Sequence, residues 1–147
     1  MTRTLVAFSA AFLLVACEPE RPPHPASQGP PADAQYVIKT PPDIIAEVAK
    51  AKGDASEFIG LWNDARGWDG ELVAITEEKS GTALRINNSV AGLAGGNYWI
   101  VAIVGDNPDV QTKTLVRVQG RIKEVSTTVK GPNIIHRIVL EDARIIK

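Results

Sequence analysis

Residues 115–125 read LVRVQGRIKEV, and this stretch decides the fold class of the chain. Apolar and polar residues alternate along it, and a period of two places successive side chains on opposite faces of a β-strand. Val116, Val118 and Ile122 share the inward phase. Gly120 lies in the same phase, where a missing side chain permits a bend or a bulge. The stretch therefore predicts a curved strand that covers a core.

Four more segments have the composition of β-strands. The run YWIVAIV at residues 98–104 is short and apolar throughout, which favours a buried central strand over a helix. Turn signals separate the segments, for example KSG at 79–81 and GDNP at 105–108. We expect a phase slip near Glu141-Asp142 in the last strand. Five antiparallel strands are expected, at 71–78, 82–87, 98–104, 115–123 and 134–146.

Two capping patterns before the strands predict a helical hairpin. Thr40 fits an N-cap, and Pro41 fits the first helical position. Asp54 and the glutamate three residues later have the form of a second cap. We expect Phe58 and Trp62 to close one end of the sheet. The two helices are expected at 41–52 and 55–66, the first ending at Gly53 and the second at Gly67.

Two of the strand segments carry a recognisable motif. Residues 116–125 have the form VxVxGxIxxV, and residues 138–145 have the form IVLxxAxI. Together they resemble the last two strands of an OB-fold, and in particular the anticodon-binding-like OB domain found in bacterial lipoproteins. The resemblance implies a five-stranded β-barrel within residues 36–147. The chain departs from many OB-folds in one respect, because residues 105–114 are too short for a helix between the third and fourth strands.

The N-terminus has the parts of an export signal. Arg3 supplies the positive charge, and the apolar run LVAFSAAFLLVA that follows is too short to span a bilayer. The run leads into LVAC, which resembles the lipobox of bacterial lipoproteins. The resemblance implies cleavage after residues 1–16 and acylation of the Cys17 thiol, by diacylglycerol and fatty acids such as palmitate. The alternative is a secreted protein, cut after Ala16, with Cys17 as a free thiol.

The residues after this cysteine bear on location and on domain organisation. Lipoproteins with Asp after the cysteine tend to stay in the inner membrane, so Glu18 favours the outer membrane, with the chain facing the periplasm. The inner membrane and the cell surface stay open as alternatives. Six of the chain's ten prolines lie within 18–35, without an apolar period. We therefore expect a disordered, lipid-anchored linker over 17–35 and a folded domain over 36–147.

Composition excludes several classes of protein. The 16 basic and 17 acidic residues leave a net charge of −1, whereas a general nucleic-acid binder carries a basic excess, so nucleic acid is not expected as a partner. A single cysteine excludes a disulfide framework within the chain. The adjacent carboxylates Glu77-Glu78 and Glu141-Asp142 point to opposite faces of their strands, which argues against a two-carboxylate catalytic mechanism. His136 is the only histidine of the folded part, which has no cysteine, so the ligands that a zinc site needs are lacking. We expect no enzyme activity, no cofactor and no metal site.

Three cations on the strand predicted at 115–123 are the candidate ligand-binding residues. Arg117, Arg121 and Lys123 share the outward phase, which predicts a cationic row on the face of the sheet. Gln119 has the same phase and is expected to be exposed. Barrel faces of OB-folds often bind polymers, so the row predicts an anionic ligand. The alternative is a solvated strand face that glutamates on neighbouring strands balance.

Three aromatic residues are candidates for contact with a protein partner. They are Trp68, Tyr98 and Trp99, and the glycine-rich loop at 88–97 lies near the last two in sequence. The other interpretation of Trp68 is that it closes over the core. We therefore expect a noncatalytic, membrane-tethered periplasmic binding module of OB type with an unidentified ligand. The alternative is a protein-interaction lipoprotein, meaning an envelope or secretion assembly component, an inhibitor or an immunity protein, and the oligomeric state stays open.

Overall fold

A computed structural model describes residues 22–89 and 96–147, which form a mainly β fold. The strands are β1 (Tyr36–Val37), β2 (Trp62–Asn63), β3 (Asp69–Glu78), β4 (Gly81–Asn87), β5 (Asn97–Val104), β6 (Leu115–Lys130) and β7 (Asn133–Ile146), and the helix is α1 (Pro41–Lys50). The expected signal peptide, Cys17 and residues 90–95 of the 88–97 loop lie outside the described residues. At 10 residues α1 is too short to cross a bilayer, and the described part of the chain holds no helix that could do so.

Hydrogen bonds join the strands in the order β1-β2-β6-β3-β4-β5-β7, and β6 also pairs with β7. Through the β6–β7 pairing, the last strand of this order is bonded to the third. Each of β3, β4, β5, β6 and β7 therefore pairs with at least two of the other four. The mainly β class that alternation predicts is confirmed.

The expectation of five antiparallel strands is wrong in two respects. β5 and β7 run parallel, from the pair Asn97↔Ile135 to the pair Ala102↔Leu140. The chain runs back along β6 between them, so it enters β7 in the direction of β5. The count of five also omits β1 and β2, because two residues are too few to show alternation, and these strands exist through their pairing with each other and with β6.

Gly120 lies at the first of two irregularities in the β6–β7 ladder. A Cβ atom there would be 2.9 Å from the Leu140 Cβ and 3.0 Å from the Ala143 Cβ, so the close approach of β7 requires glycine. Between the pairs Gln119↔Arg144 and Arg121↔Glu141, β7 has one residue more than β6. This bulge lies near Asp142, whose φ is +49°. The bend expected at Gly120 and the phase slip expected near Asp142 are confirmed. A second irregularity interrupts alternation after Ile122, and β6 continues past it to its end.

The first predicted helix is confirmed as α1. It begins at Pro41, and the Thr40 hydroxyl donates a hydrogen bond to Asp43 Oδ2 at 2.8 Å. The chain leaves the helix through Gly53, whose φ of +90° is the left-handed conformation typical of a helix end. The predicted start is therefore confirmed, although Thr40 makes no side-chain hydrogen bond to a helix N–H, and the helix ends at Lys50, two residues before the predicted end.

The second helix, expected at 55–66, is wrong. Its capping hydrogen bond does form, since the Ser56 N–H donates to Asp54 Oδ1 at 2.9 Å, and the hydroxyl and N–H of Ser56 hold the pKa of the Asp54 carboxyl below its usual range. The helix does not follow, because the Gly60 N–H donates to Ile122 O at 2.8 Å and the sheet thus takes a backbone group that a helix needs. Turns at 55–61 and the strand β2 replace it.

The core lies between α1 and the inner face of the sheet. Ile44, Ile45 and Val48 of α1 are buried in one cluster with the inward residues of the long strands. Phe58 belongs to the same cluster, and Trp62 is buried as a residue of β2. The inward phase predicted for Val116, Val118 and Ile122 is confirmed, since all three are buried.

Gln119 is buried, although alternation predicts that it is exposed. The reason is β2, which lies along the outer edge of β6 at this point. The Gln119 Nε2 donates to Asn63 O at 3.3 Å, and its Oε1 accepts from Arg144 Nη2 at 2.8 Å. A side chain of the outward phase is thus covered by a strand from another part of the chain.

The described part of the proline-rich segment, residues 22–35, contains no helix or strand. It is hydrogen-bonded to the rest of the fold at three places, and at its end the Gln35 O accepts from the Trp62 N–H of β2 at 2.8 Å. The His24 N–H donates to Asp106 Oδ2 at 2.8 Å, and the Asp106 N–H donates to His24 O at 2.8 Å. The Arg144 Nη1 donates to Gln28 O at 3.5 Å. The contacts of His24 and Gln28 attach residues 24–28 to the turn after β5 and to the end of β7.

Candidate functional site

A concave groove of about 650 Å³ runs across the outer face of the sheet, and we call it the groove below. Outward residues of β3, β4, β5, β6 and β7 line it. The side chains that the following argument uses are Arg85 of β4, Trp99 of β5, Arg137 of β7, and Glu124, Ser126 and Lys130 of β6. Alternation sends these residues outward, and the curvature of the sheet brings them to one hollow.

Arg85 and Trp99 form the centre of the groove. They lie at diagonal positions of the β4–β5 ladder, where Arg85 is opposite Val101 and Asn87 is opposite Trp99. The Arg85 guanidinium lies over the Trp99 ring, 4.2 Å from its centroid. Attraction between a cation and an aromatic face holds both side chains in place, and an exposed pair of this kind contributes about 0.5–1 kcal/mol. The pair presents a flat, charged surface to the groove.

Arg137 continues this surface toward β6. It is directly opposite Trp99 in the parallel β5–β7 ladder. Its Nη2 donates to Glu124 Oε1 at 2.9 Å, and both side chains are about half exposed. An ion pair of this exposure is weak, about 0.2–1 kcal/mol, so a ligand that offers a better acceptor can exchange with Glu124 at little cost.

The groove carries more positive than negative charge. Arg85, Lys130 and Arg137 line it, against Glu78 and Glu124. Within residues 22–89 and 96–147, Arg85 and Lys130 are in no ion pair. Two cations in the groove therefore have their charge available to a ligand.

This arrangement suits binding. The groove combines an aromatic face, two arginines, a lysine and the hydroxyl groups of Thr76, Ser126 and Thr128, which can donate to and accept from a polar ligand. In the described ranges, no three His, Cys, Asp or Glu side chains come together in a way that would hold a metal ion.

The predicted row of Arg117, Arg121 and Lys123 lies on β6 outside the groove. Arg121 Nη2 donates to Glu141 Oε1 and to Asp142 Oδ2, each at 3.0 Å, so two carboxylates balance its charge. Lys123 lies at the second irregularity of the ladder, where alternation is interrupted. Arg117 and Lys123 are exposed. Arg121 lies between them and is paired with two carboxylates, so the three residues do not form a continuous cationic surface.

The three predicted aromatic residues have different environments. Trp68 is fully buried, and its Nε1 donates to Lys39 O at 2.9 Å. The partner-binding role expected for Trp68 is therefore corrected, because its side chain closes over the core. Tyr98 is half-buried and stacks on His136 with 4.7 Å between ring centroids, while Trp99 lines the groove. Of the three, Trp99 is the one that lines the groove, where a ligand can reach its ring.

Three cations of the groove are absent from the predicted site. Arg85 and Arg137 lie in strands that alternation predicts, whereas Lys130 lies in the part of β6 beyond the predicted end at residue 123. The registers between strands bring these three side chains together. The pattern of residues within one strand does not determine its register with another strand. The available signal is that each is a charged residue next to an apolar or β-branched one, namely Ile86, Val129 and Ile138, which is typical of an outward position on a strand.

Comparison of the chain with models of known protein families, with curated proteins and with solved structures found no match.

Proposed function

We propose that the chain is a noncatalytic binding module of OB type, lipid-anchored at Cys17 in the outer membrane and facing the periplasm, and that its groove binds an extended anionic glycan. The observation that carries the proposal is the row of Arg85, Trp99 and Arg137 across the centre of the groove.

The strand pairings support the OB assignment. The five long strands pair in the cyclic order β3-β4-β5-β7-β6, with β6 returning to β3 and with the third and fifth strands parallel. A five-stranded, partly open barrel of this kind binds oligonucleotides and oligosaccharides on the face of its second and third strands, between the loops that follow the first and the fourth. In this chain the second and third strands are β4 and β5, which carry Arg85 and Trp99.

The charge pattern favours a glycan over a nucleic acid. Duplex DNA carries a negative charge about every 1.7 Å, and its binders neutralise many of these phosphates. The groove mixes Arg85, Lys130 and Arg137 with Glu78 and Glu124, so a dense row of phosphates would meet both attraction and repulsion. A sugar chain with spaced carboxylates and many hydroxyls matches the cations, the aromatic face and the serine and threonine hydroxyls. The net charge of −1 agrees with this choice.

A fluorescence titration tests the proposal. Of the three tryptophans, Trp62 and Trp68 are buried, so a ligand in the groove should change the emission of Trp99. The detergent-purified chain would be titrated with alginate, with a neutral dextran and with oligo-dT at several salt concentrations. We expect binding to alginate that weakens as salt rises, and little response to dextran.

Matched variants locate the binding site. Arg85→Ala and Arg137→Ala should each weaken alginate binding about tenfold or more, because a hydrogen bond to a charged group contributes about 1.5–3 kcal/mol. Arg117→Ala, on the same sheet but outside the groove, is the control and should leave the Kd unchanged. Equal losses in all three variants, or binding that is indifferent to salt, would refute a site in the groove. Recovery of one stoichiometric protein partner without glycan binding would favour the protein-interaction alternative.

A further inference from the structure

The outer edge of β6 is covered over its first half and open over its second half. β3, β2 and the segment before β2 bond to it in turn, as far as Ile122. Within the described ranges no strand pairs with this edge from Lys123 to Lys130. An antiparallel ladder uses the N–H and C=O groups of alternate residues, so the remaining groups of this segment are directed away from β7 and toward the open edge.

The open segment lacks the features that normally protect an edge strand. Residues 124–130 read EVSTTVK, with no charge, proline or glycine between the two ends. β-branched residues dominate it, and Val129 is 68% exposed. The edge of β3, by contrast, ends in the charged pair Glu77 and Glu78.

The segment is complementary to itself. We propose that this edge of β6 pairs antiparallel with the same edge of a second copy of the chain, about a two-fold axis through Thr127. Glu124 is then opposite Lys130 of the second copy, and Val125 is opposite its Val129. Opposite charges and β-branched pairs directly across a ladder stabilise it, and an isologous two-fold contact forms each pair twice.

The charges also select the register. Registers change in steps of two residues, because only alternate residues direct their N–H and C=O groups to this edge. A shift of two toward the start of the strand would place Lys130 opposite Ile122, whose N–H and C=O already bond to Leu61 and Gly60, and Glu124 opposite the uncharged Thr128. A shift of two in the other direction would place Glu124 opposite Pro132, beyond the end of the strand. The axis through Thr127 is therefore the one that pairs both charges.

The pairing would join two grooves into one surface. Glu124, Ser126, Thr128 and Lys130 line the groove, and directly opposed residues of a ladder lie on the same face of a sheet. The grooves of the two copies would thus lie side by side on one continuous face. The inference does not depend on the identity of the ligand, because it rests on the edge and its sequence.

Disulfide trapping in the membrane tests the pairing. Thr127→Cys would be introduced in the full chain and treated with a mild oxidant, with the unsubstituted chain as the control for Cys17. Residues directly opposed across the axis have Cα atoms about 4.5–5.5 Å apart, within reach of a disulfide, whereas the diagonal Thr128→Cys positions are about 7–8 Å apart or more. We expect a covalent dimer for Thr127→Cys and about tenfold less for Thr128→Cys. Equal or inverted yields would overturn the proposed axis.

A charge exchange provides the second measurement, by sedimentation equilibrium of the detergent-purified chain. Lys130→Glu should raise the dimer Kd about tenfold, because it makes both symmetry-related pairs repulsive. Adding Glu124→Lys should recover part of the loss, since the charges across the axis again match while the Arg137–Glu124 ion pair within each copy is lost. Lys50→Glu, on the helix, is the control and should have no effect. A chain that is monomeric at all concentrations, or a double variant without recovery, would overturn the proposal even if every variant folds normally by circular dichroism.

Discussion

Asn63 Oδ1 accepts a hydrogen bond from the Gly120 N–H at 2.7 Å, at the point where β6 bends toward β7. The other end of the same amide donates from Nδ2 to Val118 O at 3.0 Å. Asn63 is fully buried, so no water competes for these bonds. One side chain of β2 therefore satisfies two backbone groups of β6 and holds β2 against the bend.

Replacing this amide should destabilise the fold. Asn63→Ala would leave the Gly120 N–H and the Val118 C=O buried without partners, and each such group costs about 1–3 kcal/mol. We expect the free energy of unfolding to fall by about 2–4 kcal/mol, measured from the urea midpoint. Ser126→Ala, a substitution in the groove, serves as the control and should change stability by less than about 0.5 kcal/mol. A midpoint for Asn63→Ala equal to that of the control would contradict the role of this amide.

Filling the bend should also destabilise the fold. Gly120→Ala would bring a methyl group to 2.9 Å from the Leu140 Cβ and 3.0 Å from the Ala143 Cβ. Overpacking of this kind costs about 1–3 kcal/mol. Adding Ala143→Gly removes the contact with the Ala143 Cβ and leaves its Cα at 3.1 Å, so the double variant should recover part of the loss in a urea titration. Full stability of Gly120→Ala would mean that β7 can move away from the bend without cost.

Releasing Arg121 from its ion pairs tests whether the cationic row binds the ligand. In the double variant Glu141→Gln and Asp142→Asn, the Arg121 guanidinium keeps hydrogen-bond acceptors but loses the opposing charges. Asparagine tolerates the left-handed conformation of residue 142. We expect the Kd for alginate to stay within about twofold, and stability to change by less than about 1 kcal/mol, because exposed ion pairs contribute little. Markedly tighter binding would assign the site to the row instead of the groove.

The proposed lipid anchor has a direct test. Mass spectrometry of the membrane-bound chain should find residue 17 as the first residue, with acyl groups on its thiol. Cys17→Ser should remove this mass and shift the chain to the soluble fraction, because buried acyl methylenes contribute about 0.8 kcal/mol each to membrane binding. An unmodified thiol in the natural chain would favour the secreted alternative.

Local patterns predicted the elements whose causes are local. The alternation of residues 115–122 locates the start of β6, and the Thr40-Pro41 cap locates the start of α1. The bend at Gly120 was predictable for the same reason, since a glycine in the inward phase is visible within its own strand. The helix at 55–66 failed because β6 competes for the backbone of Gly60, and that competitor is distant in sequence.

The candidate site was predictable only in part. The sequence offers Trp99 as one of three candidate partner-binding aromatic residues, and it lies half-buried in the groove. Arg85 and Arg137 were not identified, because their position beside Trp99 depends on the registers of two ladders. The sequence leaves two interpretations of Trp68, a surface anchor and a core residue, and its burial depends on how α1 and the sheet pack together.

By itself, the sequence determined which segments of the described chain alternate as strands, where α1 begins and where β6 must bend, because each of these depends on interactions within a few residues. The tertiary structure decided that β7 pairs with both β5 and β6, that β2 covers Gln119, and that one aromatic residue and three cations meet in one hollow. These features depend on contacts between residues far apart in the chain. Such contacts are selected by the packing of the whole core, and no short segment carries that information.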